Sequence, residues 1–287
     1  PPGRHACRIP DDSTLAWPLA IFHTGRARPV RRLPRFVLHL LWWLTLPLFV
    51  LTIPLGREAK RRALKMPEAP GERHGTQGGS LDDLPDDPLR MLMIGESPVA
   101  GVGVSEFRES IAVQVAEHLS TLSGVPVSWA AIGRNGIRLG ELVETLGEQA
   151  LPVSNWVIWL GGVNDTTSLT SLASWRRQLF ELGRLVTESG QGRPVFCPVP
   201  PLHQFVGIPQ PLRFQLGLRA SMLDLELARV CRQNGWQRLE LEIPSAASLL
   251  AADGYHPSAS GADRLGLMIA GAVLQSGASP GQATPEG

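Results

Sequence analysis

The sequence has few of the residues on which disulfide frameworks and metal centres depend. Its 287 residues include three cysteines, Cys7, Cys197 and Cys231, whose odd number and wide spacing encode neither a disulfide framework nor a zinc site. The seven histidines are scattered, and no H-E-x-x-H motif occurs among them. We therefore expect no metal ion and no other cofactor, while the redox compartment stays open.

Phosphate-binding loops are lacking as well. Gly101 and Gly103 are followed by Glu106 where a dinucleotide fingerprint needs its third glycine, and no G-K-S/T sequence occurs. Ser97 also does not fit the G-x-S-x-G elbow of α/β-hydrolases, because the residue two positions after it is not glycine. These absences disfavour nucleotide chemistry and the α/β-hydrolase layout.

The sequence has little net charge, but the charge is unevenly distributed. The total is +1, yet residues 1–65 hold twelve Lys and Arg against three acidic residues, which gives +9 there and −8 over the rest. An acidic body with a basic arm rarely suits nucleic acid, so we expect no nucleic acid partner. An apolar run divides the basic arm, and this arrangement favours anionic lipid instead.

That apolar run, Phe36 to Gly56, has the length needed to cross a hydrocarbon core and is flanked by basic residues. Pro47 and Pro54 each remove a backbone donor and favour a kink, so a segment lying in one leaflet is the alternative to a straight span. No small-residue cleavage site follows, which favours an uncleaved anchor. We expect association with a bacterial inner membrane through residues 36–56, on a side that the flanking charges leave open.

The rest of the chain divides by composition. Residues 66–88 are dense in Gly, Pro and acids, as linkers are, and the last residues are small and polar. The predicted division is a basic N-terminal arm at 1–35, a hydrophobic membrane-associated segment at 36–56, a basic and then Gly/Pro/acid-rich linker at 57–88, a folded body at 89–275 and a flexible tail at 276–287.

Within the body, strand-like runs alternate with helical patterns. The runs are too apolar for a half-exposed sheet, and the helical stretches place apolar residues at three- and four-residue spacing. This alternation predicts an α/β fold, a three-layer α/β/α sandwich around a mostly parallel five-stranded sheet. The predicted strands are 90–95, 125–132, 154–161, 194–199 and 236–243, and the predicted helices are 106–122, 140–150, 174–190 and 219–235.

Ser97 has the partners that a nucleophile requires. A serine hydroxyl is a weak nucleophile at neutral pH and needs an adjacent base. Asp253 stands three residues before His256, so a histidine base and the carboxylate that orients it can both face one serine. A D-G pair is also a common turn, and a histidine before proline is often only a loop residue. The complete set favours a nucleophile over a turn serine.

Two further strand ends carry candidates for an oxyanion hole. Asn164, in LGGVNDTTS, can offer its amide N–H, and Gly136, in GRNGIRLGEL, can offer a backbone N–H. Each also has an ordinary structural interpretation, because Asn164 fits an Asx turn and Gly136 fits a simple turn.

Together these stretches resemble the SGNH, or GDSL, hydrolase family over about residues 90–274. GES stands where the family has Gly-Asp-Ser, and a glycine after the second strand, GVND and DGYH follow in family order. The resemblance implies a flavodoxin-like fold. It also implies Ser97 as nucleophile, His256 as base, Asp253 as its orienting acid, and an oxyanion hole of Ser97, Gly136 and Asn164.

The sequence departs from the family beside the nucleophile. Glu96 replaces the usual aspartate, which predicts altered rate or specificity through a contact shifted by one methylene. The proline-rich stretch 200–214 is similar to a loop near the substrate pocket in a bacterial branch of the family. The candidate substrate-binding residues are Glu96, Phe205, Ile208 and Leu212, with Val206 and Phe214 as further parts of an apolar acyl wall; ordinary packing beneath a loop is the alternative.

The sequence therefore predicts a serine esterase that hydrolyses carboxylic esters of short to medium acyl chains through an acyl-enzyme. One alternative is an acyltransferase or O-acetylesterase acting on envelope glycan or lipid. Another is a membrane-tethered binding module with a retired site. The natural ester and the oligomeric state stay open.

Overall fold

The structure, a computed structural model, describes residues 34–62, 64–79, 89–190, 192–241 and 247–276. Nearly all of the predicted basic arm lies outside the described residues. The same is true of Cys7 and of the tail from residue 277 onward.

A six-stranded sheet forms the centre of the body. The strand order is β1-β3-β2-β4-β5-β6, and every pair is parallel except β1 with β3. The five parallel strands thus have the 2-1-3-4-5 order of flavodoxin-like sheets. The strands are β1 (His74–Gln77), β2 (Leu89–Gly95), β3 (Val127–Gly133), β4 (Trp156–Leu160), β5 (Arg193–Phe196) and β6 (Gln237–Arg238).

Strand β1 corrects the predicted count of five strands. It lies inside the stretch predicted as linker and pairs antiparallel along the outer edge of β3, from Val127 to Ala130. Its HGTQ sequence has no apolar alternation, so only backbone hydrogen bonds to β3 specify it. Gly75 packs closely against Trp129, because a Cβ there would stand 3.2 Å from the indole ring.

Helices cover both faces of the sheet. Side chains of a strand alternate between faces, and in β2 Met91 and Met93 join one buried cluster while Leu92 and Ile94 join another. Each fully buried side chain of this kind contributes roughly 1.5–3 kcal/mol. The described residues form seven helices: α1 (Arg35–Arg62), α2 (Ile111–Ser123), α3 (Leu139–Gly147), α4 (Val163–Thr167), α5 (Leu172–Glu188), α6 (Leu212–Asn234) and α7 (Ala259–Gln275).

The two clusters define the outer layers of the predicted α/β/α sandwich. Helices α2 and α7 pack together on the first face, and α3, α5 and α6 lie on the second. Helix α6 ends at Gly235, whose left-handed φ of 68° is readily adopted only by glycine and closes the last turn.

Helix α1 contains the whole of the predicted apolar segment 36–56 and runs on to Arg62. Its first 18 residues, Arg35–Thr52, have a mean hydropathy of 1.6 and are long and apolar enough to cross a membrane, as are some signal sequences and core helices. The helix continues through Pro47 and Pro54.

Helix α1 packs antiparallel along α6. Its Leu38 and Trp42 form a buried cluster with Leu218 and Met222 of α6. Close to one end of the contact, the Arg35 guanidinium pairs with the buried carboxylate of Glu226. The apolar segment is therefore covered by the α/β body along one side.

Candidate active site

Ser97 lies just beyond the carboxyl end of β2. Strand β2 has β3 on one side and β4 on the other, so the strand order reverses at β2. Open α/β sheets bind ligands at such a switch point, beyond the carboxyl ends of the strands. Gly95 is needed immediately before the turn, because a Cβ there would come within 2.0 Å of the Leu160 carbonyl oxygen. The close approach of β2 and β4 thus positions Ser97 between them.

Ser97, His256 and Asp253 are joined by consecutive hydrogen bonds. Ser97 Oγ lies 2.8 Å from His256 Nε2, and His256 Nδ1 lies 2.5 Å from Asp253 Oδ2. The Ser97 side chain and the His256 ring come from segments 159 residues apart. The structure therefore brings together the three residues that the sequence pairs, in the order hydroxyl, imidazole, carboxylate.

The carboxylate of Asp253 is held by its own loop. Its Oδ1 accepts hydrogen bonds from the backbone N–H of Tyr255 at 2.9 Å and of His256 at 3.0 Å. Burial raises the pKa of Asp253, but the hydrogen bonds from the His256 ring and from these two N–H groups outweigh burial, so the pKa lies below its ordinary value. Asp253 is therefore a carboxylate at neutral pH, as orienting the ring requires.

Glu96 is buried directly before Ser97. Its Oε1 accepts the backbone N–H of Gly162 at 2.6 Å, and its Oε2 accepts that of Asn164 at 3.2 Å. Burial raises its pKa to about 8, against the opposing effect of these two N–H groups. The side chain thus holds the start of α4 against the turn that carries Ser97.

Asn164 and Asp165 connect α4 to the loop after β3. Asn164 Nδ2 donates to the Ile137 carbonyl oxygen at 3.0 Å, which leaves the second hydrogen of the amide for another acceptor. Asp165 is fully buried, and its Oδ2 accepts the backbone N–H of Leu139 at the start of α3, at 2.9 Å. Burial is also the main reason that its pKa is raised. Two adjacent side chains therefore fix the loop that contains Gly136.

Gly136 has a φ of 79°, a left-handed conformation that turns the chain between β3 and α3. Within the described part of the chain, neither its backbone N–H nor that of Ser97 donates to a protein acceptor. Gly136 does not itself line the cavity beside Ser97; its neighbour Asn135 does, as does Asn164. Of the three predicted oxyanion residues, the structure thus places Ser97 and Asn164 on the cavity and Gly136 next to it.

The sequence matches a family model over the same segments. The model of the GDSL-like lipase/acylhydrolase family matches residues 93–264, a range that contains Ser97, Asp253 and His256. The chain belongs to this family. Helix α1 lies outside the matched range. No protein with a curated function matches the sequence significantly.

Solved structures share the fold of this GDSL hydrolase. A lipase/acylhydrolase from Enterococcus faecalis has 19% sequence identity and a TM-score of 0.52, over 66% of this chain and 96% of its own. The esterase EstA from Pseudoalteromonas sp. has 15% identity and a TM-score of 0.51, over 65% of this chain and 97% of its own. At these identities the likeness concerns the fold.

A cavity of about 600 Å³ adjoins Ser97, Asp253 and His256 of this GDSL hydrolase. All four predicted substrate contacts line it together with Ser97 and His256: Glu96, Phe205, Ile208 and Leu212. The apolar wall is smaller than predicted, because Val206 and Phe214 are 60% and 44% exposed and do not line the cavity. The described residues contain no group of side chains suited to a metal ion.

The sequence did not indicate that α1 contributes to this cavity. Phe49, Thr52 and Gly56 form part of its lining. With Thr45 they recur at intervals of three and four residues, so the four lie on one face of the helix. In the sequence, threonine and glycine recur at that spacing along an apolar run. This pattern could have indicated that one face of the helix does not contact lipid.

Proposed function

We propose that this GDSL hydrolase is a serine esterase that cleaves carboxylic esters through an acyl-enzyme. The observation that carries the proposal is the line of hydrogen bonds from Ser97 Oγ through the His256 ring to Asp253. A serine becomes an effective nucleophile when a base can take its proton and a third group orients that base. The adjacent cavity supplies room for an ester.

In the proposed reaction, Ser97 Oγ attacks the ester carbonyl while His256 Nε2 takes the hydroxyl proton. Asp253 stabilises the resulting imidazolium and keeps its Nδ1–H directed at the carboxylate. The imidazolium then returns its proton to the departing alcohol, which leaves the acyl group on Ser97. A water molecule, deprotonated by His256, releases the acid and restores the serine.

The oxyanion hole of this mechanism consists of the backbone N–H groups of Ser97 and Gly136 and the second N–H of the Asn164 amide. Two features support the assignment: the backbone donors have no protein acceptor within the described residues, and the Ile137 carbonyl orients the Asn164 amide. Preorganised donors of this kind stabilise the charge that develops on the carbonyl oxygen.

The acyl group is proposed to occupy the cavity, with Phe205, Ile208 and Leu212 along its wall. A volume of about 600 Å³ lies within the usual range of small-molecule sites and suits a short to medium acyl chain. The His256 side chain is 24% exposed, so water can reach the base. An alcohol could reach the base by the same route, so product analysis with added glycerol tests hydrolysis against transfer.

Burst kinetics with p-nitrophenyl butyrate test the proposal. The wild-type chain is expected to release nitrophenol in a burst, and Ser97→Ala is expected to abolish the burst because no acyl-enzyme forms. Ser105→Ala, which removes an exposed hydroxyl eight residues away, serves as the control and is expected to keep the burst. A burst that survives in Ser97→Ala would refute the assignment of the nucleophile.

A further inference from the structure

The two faces of α1 have different surroundings. At 100° per residue, eight large apolar side chains fall within a sector of about 160°, and all are exposed, from Leu55 at 38% to Leu51 at 76%. An exposed apolar surface of this extent marks an interaction site. We call it the outer face: Phe36, Leu40, Trp43, Leu44, Leu48, Val50, Leu51 and Leu55.

The opposite, inner face of α1 is fitted to α6. Gln215 of α6 is fully buried, and its amide donates to the Thr45 carbonyl oxygen at 2.8 Å while its oxygen accepts from the Thr52 hydroxyl at 3.3 Å. Arg35 likewise pairs with Glu226, whose side chain is 2% exposed. Buried polar groups are costly unless they are hydrogen-bonded. These pairs therefore identify α1 as a built part of the enzyme.

This packing is incompatible with α1 crossing a bilayer. Since α1 runs beside α6 from Arg35 to Gly56, a spanning orientation would carry the adjoining helices into hydrocarbon with it. The Arg219 guanidinium on α6 lies 5.6 Å from the ring of Trp42, so a spanning orientation would place it at the depth of the apolar segment. Charged side chains are costly in the hydrocarbon core. With α1 parallel to the surface, only the outer face enters the membrane.

The ends of the outer face suit an anionic leaflet. Arg57 and Arg61 extend the same helical sector beyond Leu55, and both are exposed. Together with Pro54 and Lys65 they line a shallow surface depression. Basic residues at such a position are attracted to anionic headgroups.

We propose that α1 lies in the plane of a membrane leaflet and walls the acyl pocket, so that this enzyme hydrolyses an acyl lipid taken directly from that leaflet. The inference rests on the proposed esterase function. Phe49, Thr52 and Gly56 bound the same cavity as Ser97, while the outer face is on the other side of one helix. An acyl chain therefore has only the width of α1 between the leaflet and the pocket.

An outer-face variant tests the membrane contact. The outer-face variant, Leu44→Glu/Leu51→Glu, places two charges at exposed positions of α1. The control variant, Val125→Glu/Val153→Glu, also places two charges at exposed positions, which lie just before β3 and β4 at the end of the sheet opposite Ser97. The probes are vesicles of phosphatidylcholine and phosphatidylglycerol in equal parts, whose binding and fatty-acid release are measured, and soluble p-nitrophenyl butyrate.

The wild type and the control variant are expected to bind and hydrolyse the vesicles. The outer-face variant is expected to lose roughly tenfold or more of both while keeping its kcat/KM for the soluble ester, which also shows that it is folded. Equal vesicle binding by the outer-face variant would overturn the inference. The inference would also be overturned if the wild type were a dimer and the outer-face variant were a monomer with unchanged lipid hydrolysis, because a second copy would then cover the outer face. Absence of any activity on the soluble ester would instead refute the esterase proposal.

A pocket variant tests the wall. A Cβ at Gly56 would meet Leu212 at 3.0 Å, so Gly56→Leu fills the cavity from the α1 side. The ratio of kcat/KM for p-nitrophenyl dodecanoate over butyrate is expected to fall about tenfold, the effect of excluding about two methylenes from apolar contact. An unchanged ratio would show that α1 does not bound the acyl site.

Discussion

At the scale of single residues, Gly161 leaves room beside Ser97 for the side chain of Glu96, which is longer than the aspartate usual in the family. The Glu96 side chain passes close to Gly161, where a Cβ would stand 3.1 Å from Glu96 Cγ, and its oxygens then meet the N–H groups of Gly162 and Asn164. The methylene added relative to the family's aspartate is therefore accommodated by a glycine. The carboxyl group contacts the loop that carries Asn164, which makes Glu96 a positioning residue.

Glu96 predicts a pH dependence of stability. Burial raises its pKa from 4.5 to about 8, so between these values the folded protein keeps a proton that the unfolded chain releases. The free energy of unfolding should therefore fall as pH rises through this window. Glu96→Gln keeps an acceptor for Gly162 and should flatten this part of the curve, measured by urea denaturation between pH 4.5 and 8. Parallel curves for the two proteins would contradict the assignment.

Asn164 is predicted to contribute mainly to the transition state. Asn164→Ala removes one proposed oxyanion donor and should lower kcat by about 10²–10³ with little change in KM, measured with p-nitrophenyl butyrate. Asn234→Ala is the matched control, because that amide only donates to the Val230 carbonyl at the end of α6. A loss of kcat no greater in Asn164→Ala than in Asn234→Ala would remove Asn164 from the oxyanion hole.

The chemistry of the site was accessible from the sequence because short motifs carry it. Ser97, Asp253 and His256 could be grouped from residue type and order, and the structure places His256 within hydrogen-bond distance of both Ser97 and Asp253. The environment of Glu96 could not be inferred in this way. Its raised pKa depends on burial and on N–H groups about 66 residues away in sequence.

At the scale of elements, the segments with a clear pattern of apolar residues were the ones predicted well. Strands β2 and β4 are buried on both faces, and each of the strands β2 to β5 differs from prediction by only a few residues at its ends. Strand β6 has two residues where eight were predicted, and the last two of those eight, 242 and 243, lie outside the described residues. Helix α6 begins at Leu212, inside the predicted proline-rich loop, because Pro211 precedes its first turn and prolines there are compatible with a helix start.

The start of α3 depends on a side chain from another element. Asp165→Ala removes the acceptor for the Leu139 N–H and leaves that donor buried, so the free energy of unfolding should fall by about 1–3 kcal/mol in urea denaturation. Asp263→Ala is the control: that carboxylate is 59% exposed and pairs only at the surface with His118, so its loss should cost less than about 1 kcal/mol. Equal losses would contradict a capping role for Asp165.

At the scale of the whole molecule, the hydrolase body followed from the sequence and the placement of α1 did not. Composition shows that residues 36–56 are apolar, but it cannot show whether lipid or protein covers each side of the helix. The Thr52 contact with Gln215 spans 163 residues, and only the folded chain brings the two together. The segment predicted as an anchor is consequently also part of the cavity wall.

The central claim is that Ser97 is a nucleophile activated by His256 and Asp253. Mass spectrometry of the chain after treatment with a fluorophosphonate tests it most directly. We predict one phosphonyl group per chain, on the peptide that contains Ser97, and no adduct in His256→Ala under the same conditions. An unlabelled wild-type chain, or an adduct on a different serine, would contradict the account.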